Sequence, residues 1–113
     1  MIPNNERSRV MVLGLDGATF EVIDQLLNQG RLPNLERLIL NGVRGDLEST
    51  VPPLSPVAWS SFMTGTNPGK HGIFDFFGRM PGSYRFHVNN STHRKTESFW
   101  QIASKAGRTV GVM

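Results

Sequence analysis

The chain contains no cysteine, which excludes disulfides, thiol nucleophiles and cysteine-ligated zinc. It has no apolar run of the length of a secretory signal or a membrane span, and the opening residues, MIPNNERS, are polar. A soluble, cytoplasmic chain with no membrane partner is therefore expected. Blocks of like charge are also absent. The net charge is +3, but Lys and Arg are scattered singly, the closest pair being Arg94-Lys95, so the charge describes a solvated surface and no nucleic-acid polymer is expected as partner. There is no internal repeat or low-complexity segment.

What is present is one small domain's worth of chain: 113 residues, 38% of them hydrophobic. Arg9 to Leu15, RVMVLGL, is a short apolar run that reads as a buried strand ending in the turn Asp16-Gly17. In open α/β sheets, ligands gather beyond the carboxyl ends of the strands, so Asp16 sits where a metal or substrate would be held, or else it merely starts the turn. Thr19 to Asn28 carries Phe20, Ile23 and Leu27 at helical spacing, widened by Val22 and Leu26, and Gly30 ends it. Pro33 opens a second helix whose apolar stripe, Leu35, Leu38 and Ile39, stops at Asn41-Gly42. Both stripes are expected to be core. Val43 to Ser49 reads as a short strand. Tyr84 to Val88 reads as another, Glu97 to Ala106 as a helix closed by Gly107, and Arg108 to Met113 as a last apolar strand. This order predicts an α/β fold with a mostly parallel sheet and flanking helices.

The stretch from Thr50 to Phe76, TVPPLSPVAWSSFMTGTNPGKHGIFDF, organises the rest. Pro52-Pro53 makes a rigid lead-in that cannot continue a sheet interior. Ser55 precedes Pro56, and a serine N-cap followed by proline at the first helical position is a favoured helix opening. The helix N-terminus offers unpaired N–H groups and the positive end of its dipole, so a phosphate or alkoxide at Ser55 is stabilised there. Ser55 is thus a cap or a hydroxyl nucleophile. Gly65 to His71 is a dense run of turn residues, but it is not a phosphate-cradling Walker loop: three residues separate its glycines, and His71 follows Lys70 where Ser or Thr is required. His71 is read as structural, with a ligand or acid–base role as the alternative.

Leu15-Asp16-Gly17, Leu32-Pro33-Asn34-Leu35, SPVAWSSFMTG with Ser55 ten residues before Gly65, and Asn67-Pro68-Gly69-Lys70-His71-Gly72-Ile73 occur in this order. Together they resemble the start of a type I phosphodiesterase/nucleotide pyrophosphatase, of the alkaline phosphatase superfamily. The resemblance implies an alkaline-phosphatase-like fold in truncated form, with residues 1–113 forming the N-terminal portion of a single catalytic domain. It implies Asp16 as a metal ligand, and Ser55 as the nucleophile and a metal contact. It also implies two divalent ions, zinc or manganese, completed by Asp and His residues later in the whole enzyme. The activity expected is hydrolysis of a small phosphate ester through a covalent phospho-enzyme, with this chain inactive alone.

The chemistry is consistent with those roles, since metal coordination at a helix N-terminus lowers the pKa of an otherwise poor hydroxyl nucleophile. Many nucleotide pyrophosphatases carry Asn five residues after the His of the HGI motif; here that position is Phe76, which argues for a more apolar pocket. A sulfatase is excluded because Val57 and Trp59 stand where its pattern needs Pro and Arg. A metal-dependent phosphomutase or phosphomonoesterase of the same superfamily is the related alternative. A non-catalytic α/β binding or folding unit, with Asp16 and Ser55 only turn and cap, is the alternative of another class. The apolar strand ending at Met113 predicts an unpaired edge and self-association.

Overall fold

The computed structural model describes residues 9–113 and divides into two units, one running to Gly45 and the other from Asp46 onward. In the first unit, α1 (Phe20–Asn28) and α2 (Pro33–Leu40) lie where the apolar periodicity and Pro33 placed them. Gly30 takes φ +67°, a left-handed conformation that ends α1 at little steric cost. Ile23, Leu26, Leu27, Leu35 and Ile39 are half-buried, whereas Leu38 is 67% exposed. Neither helix has a fully buried residue, so the two stripes are only partly covered and are not the core expected of them. Arg44 forks onto Asp24 with contacts of 2.7 and 2.8 Å and lies over the Phe20 ring, 3.9 Å from its centre. The guanidinium hydrogen bond holds the Asp24 carboxyl below its usual pKa.

The second unit is built around α3 (Ser55–Thr64). The helix starts one residue earlier than the cap chemistry predicts. Leu54, in extended conformation, is the N-cap, its carbonyl accepts from the amides of Val57 and Ala58, and Ser55 is the first helical residue. A left-handed Gly65 ends it, donating back to the Ser61 carbonyl at 2.9 Å. The turn-rich segment after it coils into a single helical turn, α4 (Pro68–His71), because the Asn67 side chain caps the Lys70 amide and Pro68 suits a first turn. Val57 and Ile73 are the buried apolar residues of this unit, joined by buried Ser60, His71 and Ser98. Two three-residue strands follow, β1 (Phe77–Arg79) and β2 (Phe86–Val88), paired antiparallel with Gly78 opposite His87. Gly78 leaves room for the His87 ring, which would lie 2.5 Å from a Cβ there. A single 3-10 turn (Ser91–His93) leads to α5 (Phe99–Lys105), whose Ser98 amide donates to the Gln101 side chain.

The mix of helices and strands agrees with an α/β reading, but the mostly parallel sheet does not appear among the described residues. Their one sheet is the two-stranded antiparallel pair. Arg9 to Leu15, Val43 to Ser49 and Arg108 to Met113 are not in strands, and Met11, Leu13 and Val43 are strongly exposed. The physical reason is pairing. A parallel strand is stable when hydrogen-bonded to neighbours and covered by helices on both faces, and apolar composition alone supplies neither. No described helix is long and apolar enough to cross a membrane.

Candidate functional site

Ser55 stands at the N-terminal end of α3, half-buried, and its hydroxyl bonds no described residue. Leu54 fills the cap position with a side chain that cannot accept. The serine oxygen is thereby left available beside the positive end of a ten-residue helix. Asp16, at the exposed turn it shares with Gly17, bonds no other described residue. The sequence marked both positions. They belong to different units.

A carboxylate and a hydroxyl are oxygen donors of the kind that divalent cations accept. Asp16 and Ser55 thus fit an ion in kind. Among the described residues, no group of three or more His, Cys, Asp or Glu forms a cage for one. His87 and His93 do approach, their rings 4.2 Å apart, but His93 Nδ1 already accepts from the Asn90 amide.

His71 has a structural position that a turn histidine seldom reaches. It is fully buried. The Ile73 amide donates to its Nδ1 at 3.1 Å, so the ring proton belongs on Nε2, which lies 3.0 Å from the Ser61 hydroxyl. The neutral ring thus satisfies both nitrogens and ties α3 to the turn after α4. Burial, and secondarily the Arg94 charge, hold its pKa below the ordinary histidine value.

A sequence model of the type I phosphodiesterase / nucleotide pyrophosphatase family matches residues 10–113. The chain belongs to that family. No curated protein and no solved structure gives a match. Type I phosphodiesterases are phosphoric ester hydrolases and generally metal-dependent. The phosphodiesterase motifs accordingly fall on distinct local devices: Asp16 on a turn, Ser55 on a helix start, and the Asn67-to-Ile73 run on a capped turn built around a buried histidine.

Sequence reasoning missed two members of this region. Ser61 was one small helical residue among several, and Arg94 half of a basic pair. Arg94 donates to the Thr96 carbonyl at 2.9 Å, to the Met63 sulfur at 3.1 Å and to the Gln101 amide oxygen at 3.2 Å. No spacing rule links it to Met63, thirty-one positions earlier.

Proposed function

We propose that this chain supplies the nucleophile, Ser55, and a metal ligand, Asp16, to a metal-dependent phosphodiesterase or nucleotide-pyrophosphatase-type hydrolase. The observation that carries the reading is Ser55 itself, a first-turn serine whose hydroxyl is not used as a cap. In this reading the Ser55 oxygen attacks phosphorus and the bond from phosphorus to the leaving alcohol breaks. The alcohol departs with a proton, and water then attacks the seryl phosphodiester, which keeps the other alcohol, to release phosphate monoester and restore the hydroxyl. The N-terminal amides of α3 favour the oxyanion that develops. A divalent ion at Ser55 would acidify the hydroxyl and offset charge on the phosphoryl oxygens, and Asp16 would supply a carboxylate ligand. Two protein ligands are fewer than the three that catalytic zinc sites usually use, so the proposal requires further ligands and a second ion in the working enzyme, and this chain by itself is expected to be inactive. Zinc is the first ion to test and manganese the second.

The test is trapping. The enzyme that contains this chain, quenched in acid during turnover of a model phosphodiester, should carry on Ser55, by peptide mass spectrometry, a phosphoryl group still esterified to the alcohol that is not the leaving group. Ser55→Ala should abolish both the adduct and turnover, and normal turnover by a folded Ser55→Ala variant removes the nucleophile.

A further inference from the structure

One face of α3, made of Pro56, Trp59, Ser60 and Met63 at helical spacing, forms a wall of an open groove of about 230 Å³. Asn89, Asn90, Ser91 and Arg94 line it as well. Ser55 opens α3, whereas Met63, which Arg94 bonds, lies in its last turn.

Two properties of this groove point to a ligand. Arg94 forms no ion pair with any described residue; its three side-chain bonds go to a carbonyl, a thioether and an amide oxygen. A guanidinium has five N–H donors, so two remain unused. The hydroxyls of Ser60 and Ser91 also line the groove and bond no described residue. Trp59, Met63 and Ile73 supply the apolar remainder.

Length then decides what fits. From Ser55 to Met63 the helix rises about 12 Å, too far for the second phosphate of a pyrophosphate attacked at Ser55. The volume lies below the usual range for a drug-sized ligand, roughly 300 Å³ and upward, so the occupant is compact in cross-section. We propose that this groove is a specificity subsite for the leaving group of a phosphodiester: an elongated body of single-ring bulk whose far end carries an anionic group held by Arg94. The role as a leaving-group site rests on Ser55 being the nucleophile; the binding itself does not.

3-Phenylpropionate, with an aromatic body and a carboxylate, is a suitable probe, and 3-phenylpropanol is its neutral counterpart. Titrated into the full chain and followed by amide NMR shifts, the acid should bind saturably in the millimolar range and shift the residues that line the groove. The alcohol should bind at least about tenfold more weakly, because a charge-assisted bond to Arg94 is lost. Arg94→Gln should weaken the acid by about the same factor. Ser91→Asp, at an exposed position with no structural bond, should do so by repulsion and keeps the test valid if Arg94→Gln fails to fold. Ser55→Ala should leave probe binding within about twofold of the parent, since Ser55 is not among the residues that line the groove. Equal binding of acid and alcohol, no saturable binding, or full affinity in Ser91→Asp overturns the subsite. Loss of the nucleophile would appear elsewhere, as turnover surviving in Ser55→Ala.

Discussion

The Ser61 hydroxyl and His71 Nε2 lie 3.0 Å apart, joining the middle of α3 to the end of α4. With the Ile73 amide on Nδ1, the contact consumes both ring nitrogens of a fully buried imidazole. A proton added to the ring would leave the Ile73 N–H facing another N–H.

A pH dependence follows from this arrangement. The folded-state pKa of His71 lies below its ordinary value of 6.5, so the unfolded chain binds the proton first. Stability attributable to the neutral ring is complete above about pH 6.5 and is lost as pH falls through that value toward the folded pKa. Urea midpoints of the parent should therefore drop between neutral pH and pH 5 more steeply than those of His71→Asn. Parallel pH profiles for the two proteins would remove His71 as the source.

Ser61→Ala leaves the Nε2 proton without its acceptor in a buried place and should cost about 1–3 kcal/mol in urea denaturation. A loss below about 0.3 kcal/mol would mean that water replaces the hydroxyl.

Val57, in the first turn of the same helix, is fully buried. Val57→Ala should destabilise by about 1–3 kcal/mol through lost transfer energy and an unfilled cavity. An unchanged midpoint would show that the site collapses around the smaller side chain.

For Ser55 the stability expectation runs the other way. A true N-cap loses about 1 kcal/mol on change to alanine, but Leu54 occupies the cap here. Ser55→Ala should therefore unfold within about 0.5 kcal/mol of the parent, whatever happens to turnover. A larger loss would return Ser55 to a structural role.

Asp16→Asn tests the proposed ligand. Zinc affinity in the complete enzyme, measured by competition with a chelating dye, should fall at least about tenfold, because even outer-shell changes around metals cost that much. Parent-like affinity would leave Asp16 as a turn residue.

How much of this was legible in the sequence depends on how local the cause is. Helix α1 was readable from Phe20, Ile23 and Leu27, and α2 from Pro33, because side-chain periodicity and proline geometry act within a few residues. The start of α3 was readable to one residue: Pro56 fixed the turn, but whether Ser55 or Leu54 takes the cap is decided by how the preceding Val51-to-Pro53 segment arrives. Strands were the weak point. Arg9 to Leu15 has strand composition, yet composition does not provide a neighbour to bond, and the pairing that does occur joins Phe77–Arg79 to Phe86–Val88 across a loop. Of the site, Asp16 and Ser55 stood out by position in recognisable motifs. His71 and Arg94 could not be ranked, because the burial of one and the bonds of the other to Met63, Thr96 and Gln101 arise only when the folded segments meet.

The Ile73 amide bonds to an imidazole, not to a carbonyl, and that difference makes it a site-specific probe for hydrogen exchange. For a backbone-bonded amide, acidification slows the intrinsic exchange chemistry and leaves protection by the fold largely unchanged. At Ile73 acidification also removes the acceptor, so its protection factor should fall while those of amides within α3 hold. A single backbone resonance would then report the protonation of one buried ring, and with it the local opening that separates α3 from α4.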